Sequence, residues 1–398
     1  MLKSFIEDEL PKHQILKTVY LLIHDYGPIT KTDLLEKTNL KQTTLFRIIE
    51  RLEKDGLIVE SGYGESNGGR PPILYNINAR LGFIISLHIN RMFTRVSLHN
   101  LHFDFIDQVT ISMTKEHTPR VIIDETITII DNFMKTHHFT VDELLGIGVG
   151  AIGPLDRVRG IILEPEPFAA PGWKNVQIVS ELKKYFPVKV TLENGATLAA
   201  LGEYKGENSA YKNILCSINS WGIGCGIISN GEVVRAHNGN VGLYGHMVID
   251  INGELCECGK RGCLQAYTSL YAILKDLGSS YLSEERDLNW YRENTIALIE
   301  QLDRDREITE DAVMRSAYYY GVGLSNIINL LETEVAVLSG PLIQRYNGYF
   351  DKVQEVTLKH ITLNKQVKIV QESSLQSNAS IGAAVSIFSS LFGREENE

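Results

Sequence analysis

The stretch Gly245–Cys263, GHMVIDINGELCECGKRGC, carries three of the five cysteines in the chain. Cys256, Cys258 and Cys263 follow a C-x-C and C-x4-C spacing, with Gly259 and Gly262 free to fold the backbone around a centre. His246 stands ahead of them, across a short strand-like run, MVIDI. Three thiolates and one imidazole form a Cys3His tetrahedral set, the donor set of a closed, structural Zn2+ site, whereas a catalytic zinc keeps one position open for water. Lys260 and Arg261 in the same loop favour the thiolate form. The other readings are unpaired core cysteines or a redox pair, for which C-x-C is a poor spacing. Cys216 and Cys225 lie in strand-like runs and read as small buried hydrophobes.

Outward from this loop, the chain is α/β. GFIISLHI, RVSLHNL and DFIDQVTIS are successive strand-like runs, followed by a helix around 119–136 and a buried strand entering a glycine loop, LLGIGVGAIGPLD. The same order returns in NILCSINSWGIGCGIISNGEVV and AVLSGPLI. Strand-rich segments alternating with helices indicate α/β architecture, and the doubled plan predicts two related lobes with a cleft between them. At 398 residues the chain suits two or three domains.

The first 80 residues read differently. HQILKTVYLLIHDY at 13–26 is an amphipathic helix ended by Gly27-Pro28. Thr30, with Asp33 three residues on, opens a short second helix in a capping-box-like start. In the third, Leu45, Ile48, Ile49 and Leu52 form an apolar stripe, with Thr44, Arg47 and Arg51 opposite and Lys41, Gln42 and Thr43 in the first turn. Such a front suits the major groove of DNA; the plain alternative is a solvated face on a three-helix bundle. GLIVESGYGESNGGRPPILYNIN then reads as strand, glycine-rich tip and strand, which makes a wing and places Arg70 for a phosphate or a narrow minor groove. Helix, turn, helix and wing in order predict a winged helix-turn-helix over residues 1–78.

Charge fits a local DNA-binding surface rather than a basic coat. The net charge is −10; residues 1–80 hold 11 basic and 11 acidic residues, leaving 28 basic against 38 acidic in the remainder. No apolar run reaches the roughly 18 residues that span a bilayer, and the acidic start MLKSFIEDELPKHQ is no secretory signal, so a cytoplasmic location is expected.

On these residues the chain resembles the transcriptional repressors of the ROK family (repressors, open reading frames and sugar kinases), in the layout of the xylose repressors. The motifs that carry the resemblance are GGRPP at 68–72, GIGVGAIGPLD at 146–156, PGW at 171–173, ENGATLAALGE at 193–203, GHM at 245–247, CECGKRGCLQAY at 256–267 and SNASIGAA at 377–384. The resemblance implies a ribonuclease-H-like, actin-like two-lobed body (lobe 1 over 79–193 with 376–398 returning to it, lobe 2 over 194–375), a sugar in the cleft, and a homodimer or tetramer. It also implies double-stranded, palindromic operator DNA as a partner, since half-site symmetry mirrors protein symmetry.

The departures from the family pattern point away from an enzyme. His88-Ile89-Asn90-Arg91 stands where the kinases carry an Asp-x-Gly-x-Thr-like phosphate turn, and Trp221-Gly222-Ile223-Gly224 where they carry Thr-Gly-x-Gly. Gly195 replaces the catalytic carboxylate, and glycine cannot act as a base. Neither ATP binding nor kinase activity is expected; the alternatives are a sugar kinase with an added N-terminal domain, or a scaffold whose head binds protein. Two further sugar-contacting glutamates of the family are here Leu243 and Gln265. Two readings of the cleft remain: it binds another small molecule, such as a carbohydrate derivative, through Asn194, Gln265, Trp173 and His246, or it senses nothing and a protein partner sets repression.

Overall fold

The computed structural model describes residues 2–8, 10–65, 70–165, 168–206, 208–235, 241–278, 281, 288–362, 366–372 and 378–393. The wing tip at 66–69, the side chain of Leu243, and residues 376–377 and 394–398 lie outside them.

The head runs α1 (Leu2–Glu7), α2 (Pro11–Tyr26), β1 (Ile29–Thr30), α3 (Lys31–Lys37), α4 (Gln42–Lys54), β2 (Ile58–Tyr63) and β3 (Ile73–Ile77). The capping box forms: the Asp33 amide donates to Thr30 Oγ1 at 3.1 Å, and the Thr30 amide donates to Asp33 Oδ2 at 3.2 Å. Leu45, Ile48, Ile49 and Leu52 of α4 are all buried, which turns the opposite face of the helix outward. β3 pairs with β2 as the wing and, on its other edge, with β1.

The body holds two five-stranded sheets of the same plan. The first is made by β4 (Phe83–Ile89), β5 (Phe93–His99), β6 (Phe105–Ser112), β7 (Leu144–Ala151) and β10 (Lys189–Asn194), in the order β10-β7-β4-β5-β6. The small hairpin of β8 (Leu155–Asp156) and β9 (Ile161–Ile162) follows β7, while α5 (Pro119–Thr136) and α6 (Ile178–Lys183) join the strands. The second is made by β11 (Ile214–Asn219), β12 (Ile223–Ser229), β13 (Glu232–Val233), β14 (Val335–Ser339) and β15 (Lys368–Gln371), in the order β13-β12-β11-β14-β15. In both, an antiparallel meander of three strands is extended by two parallel strands beside its first member. Helices α8 (Gln265–Thr268), α9 (Leu270–Leu277), α10 (Leu288–Glu293), α11 (Thr295–Arg304), α12 (Arg306–Leu331), α13 (Pro341–Arg345) and α14 (Tyr349–His360) cover the second sheet.

Two helices join the lobes. α7 (Gly195–Lys205) packs on β11 and β12, α15 (Asn378–Leu391) packs on β4 and β7, and the two pack on each other. Their approach requires glycine: a Cβ on Gly202 would lie 2.1 Å from the Asn378 carbonyl oxygen, and one on Gly382 1.8 Å from that of Leu198. The Asn378 amide side chain also donates to buried Glu203 on α7, which accepts from Asn208 Nδ2 at 2.6 Å.

The head shares its core with the body, which its sequence pattern does not foretell. Leu2 and Ile6 of α1, Tyr20 of α2, Ile84 of β4, Leu145 of β7 and Ile387 and Phe388 of α15 belong to one apolar cluster. His24 stacks on Phe388 with ring centroids 4.1 Å apart, and its Nε2 bonds the Leu101 carbonyl at 3.0 Å.

Candidate functional site

The outward face of α4 assembles the residues expected to read DNA. Lys41, Gln42, Thr43, Thr44, Arg47 and Arg51 are all exposed, as is Arg70 beside the wing tip. Arg51 is tied to Asp55 by an Nε–Oδ2 contact of 2.6 Å, so its charge is partly offset, whereas Arg47 sits one turn nearer the N-terminus. Lys41 makes no side-chain cap, so the first amides of α4 point outward at the electropositive end of a 13-residue helix.

The cysteine loop closes on itself through backbone bonds. The Cys256 amide donates to the Lys260 carbonyl at 2.8 Å, Gly259 to Cys256 at 2.9 Å, and Ile249 to Gly262 at 2.8 Å. Gly262 adopts φ 74°, and a Cβ there would lie 1.5 Å from the Asp250 carbonyl oxygen, so the loop has no room for another residue. The result gathers His246, Cys256, Cys258 and Cys263, whose ligand atoms all lie within 4.8 Å of one another. Cys258 Sγ is 3.6 Å from Cys263 Sγ, and Cys256 Sγ is 3.7 Å from His246 Nδ1. A tetrahedron with metal–sulfur bonds near 2.3 Å has edges of about 3.7 Å, so the donor set fits zinc. Burial pushes the Cys256 thiol up to about 12 and raises Cys263. At Cys258 burial acts upward too, but the Lys260 amide, the neighbouring thiols and the Lys260 charge outweigh it and hold that thiol below its usual value.

The residues expected to line the cleft begin at the N-terminus of α7. Asn194 ends β10 and caps the helix, its Oδ1 accepting from the Ala196 amide at 2.9 Å. Its Nδ2 has no partner among the described residues. Gly195 follows, and a Cβ there would meet His88 Nε2 at 3.1 Å, so the imidazole at the end of β4 occupies the room a longer side chain would take. Burial, then the charge of Arg95, lowers the His88 pKa to about 4, leaving the ring neutral at pH 7. Gly224 of β12 faces Ala196, and Gly245 lies between Ile223 and Gln265, which opens α8 and is buried. His88 and Gly224 thus flank the first turn of α7, and Gln265 lies beside Gly245.

Trp173 is a correction. Its ring is buried in the lobe-1 core, stacked on Phe168 at 4.4 Å, and its indole N–H donates to the His117 carbonyl at 3.1 Å. The polar atom expected to face a ligand is already bonded, and the apolar body packs where periodicity places core. The sequence reading also missed Arg157 and Arg235. Glu193, buried beside Asn194, accepts the Asn194 amide on Oε1 at 2.9 Å. Its Oε2 faces Arg157 Nε at 2.9 Å and Arg235 Nε at 3.3 Å. No local pattern links positions so far apart in the chain.

The tip of the β4–β5 hairpin meets the tip of the β11–β12 hairpin. Ser220 Oγ reaches Met92 Sδ at 3.8 Å, and the Lys115 amide donates to Glu293 Oε1 at 3.0 Å across the same gap. The Trp221 indole turns away into the second lobe, donating to Thr295 Oγ1 at 2.8 Å. Among the described residues no helix is long and apolar enough to cross a membrane.

A family model described as "ROK family" matches residues 95–389, and one described as "MarR family" matches residues 18–61. The chain is 29% identical over 322 residues to a xylose repressor of Bacillus subtilis (strain 168), covering 80% of each chain. Among solved structures, it matches a ROK family transcriptional regulator, a homologue of the E. coli MLC protein, with TM-score 0.73 and 22% identity over 95% of this chain and 96% of that one. A ROK hexokinase from Thermus thermophilus matches with TM-score 0.63 and 24% identity over 78% of this chain and 99% of that one.

Proposed function

Because the chain belongs to the ROK family, we propose that it is a transcriptional regulator, a repressor of a sugar-utilisation operon that performs no phosphoryl transfer. The observation that carries this reading is α4: a wholly buried apolar back behind an exposed front of Lys41, Gln42, Thr43, Thr44 and Arg47. Base edges are read by such side chains, with Arg70 at the wing on the backbone or minor groove. The body supports a binding rather than a catalytic role. Gly195 has no proton-accepting group, His88 fills its surroundings, and the Met92–Ser220 contact occupies the gap between the hairpins.

Two heads in a homodimer or tetramer would grip a palindromic operator, and residues 1–78, 79–193 with 376–398, and 194–375 would act as head and two lobes. His246, Cys256, Cys258 and Cys263 would hold a structural Zn2+. It would supply cross-links to a loop otherwise held by a few backbone bonds. A carbohydrate-derived effector between the lobes would act on the head through α15, which bonds Glu203 at one end and stacks on His24 at the other. DNase footprinting of the DNA upstream of the protein's own reading frame tests the proposal. Two symmetric protected half-sites about one helical turn apart, or a multiple of that, are expected; uniform, sequence-independent protection would refute it.

A further inference from the structure

Between α4 and the wing stands a cation that the sequence pattern does not single out. Lys31, the first residue of α3, is half-buried. Its Nζ lies 5.0 Å from the ring centroid of Phe46 on α4 and 5.2 Å from that of Tyr75 on β3. Phe46 directly precedes Arg47 of the exposed front, and β3 is the second strand of the wing. Thr30, the neighbour of Lys31, also reaches the base of the wing: a Cβ on Gly64 would lie 3.7 Å from its Cγ2 and 3.2 Å from Pro72 Cγ. Among the described residues no carboxylate pairs with Lys31. Asp33, two residues on, is engaged elsewhere, its Oδ2 accepting from the Thr30 amide at 3.2 Å and the Thr30 hydroxyl at 2.7 Å.

Two aromatic faces stabilise an ammonium without accepting its N–H groups as an oxygen would, so the charge is held while its donors stay open. They also restrain a long side chain, which lessens the entropy lost when it meets a partner. The position selects that partner. With α4 in the major groove and Arg70 at the adjoining minor groove, the sugar–phosphate strand dividing the two grooves passes between α4 and the wing, over Lys31. We propose that Lys31, held by Phe46 and Tyr75, grips a phosphate of that strand and so sets the register of α4 in the groove. A phosphate is alike at every base pair, so the contact supplies affinity and position without sequence selectivity. The inference rests on α4 being the DNA-reading helix and adds a residue outside it.

Fluorescence-anisotropy titration of the full, metal-loaded chain over a range of salt concentrations tests it. The probes are the fragment upstream of the protein's own reading frame and a random-sequence duplex of the same length. Lys31→Gln is expected to weaken both by the same factor, roughly five- to tenfold, and to reduce the slope of log affinity against log salt by about one. Lys31→Arg, which keeps the charge and can stack on the same rings, should restore most of the affinity and the slope. Phe46→Leu, which keeps an apolar side chain but removes one ring, should weaken both probes less than Lys31→Gln does; unchanged affinity would overturn the role of the rings. A Lys31 that serves only to hold the head together would lower the thermal midpoint on substitution and leave the salt slope unchanged, and that result would overturn the proposal. So would a loss confined to the upstream fragment, which marks base readout. If the unsubstituted chain binds neither duplex, the reading of α4 falls and this inference with it.

Discussion

The cysteine loop on the second lobe and the proposed cleft between the lobes, where Gln265 lies beside Gly245, follow opposite rules. The loop keeps four donors within 4.8 Å of one another and leaves Gly262 no room for a side chain. The proposed cleft presents a glycine, a neutral imidazole and an amide. A metal centre fails when one ligand is lost, because geometry and folding are coupled through it. A cleft that only has to bind can exchange contacts one at a time, each worth about 0.5–3 kcal/mol.

Four perturbations sharpen that contrast, in order of expected effect. Cys263→Ser should lower bound zinc from one equivalent per chain to near zero, read by metal analysis, and should unfold the loop; retention of metal would break the contrast. Phe388→Ala should destabilise the chain by about 3–5 kcal/mol, read by denaturant unfolding, because the ring is fully buried where head, first lobe and α15 meet. Arg47→Ala should weaken operator binding by about 1–3 kcal/mol in a fluorescence-anisotropy titration, a larger loss than Arg51→Ala, since Arg51 is already paired with Asp55. Thr30→Ala should cost about 1 kcal/mol of stability through loss of the capping box, with α4 and its contacts intact.

What could be read in the sequence divides along the same line. The α4 stripe, the Thr30–Asp33 cap and the cysteine set are each encoded within a short window, where helical period or ligand spacing fixes the geometry. The strand runs of the body were legible for the same reason, and their doubled order foretold two sheets of one plan. Of the residues expected to line the cleft, Asn194 precedes α7 and Gln265 opens α8, whereas Trp173 belongs to the core. An indole suits an apolar core and a ligand face equally, and only packing decides between them. Arg157 against Glu193, Met92 against Ser220 and α2 against α15 join residues far apart in the chain, and no periodicity records such pairs.

The most direct test of the central claim, a kinase-shaped body that binds but does not phosphorylate, is ATP turnover by the purified, zinc-loaded chain with D-xylose, D-glucose and N-acetylglucosamine. No sugar-dependent ADP release above the enzyme-free rate is expected. Turnover with any of the three would contradict the account, because it would require a base and a nucleotide site beside Gly195 and the Met92–Ser220 contact.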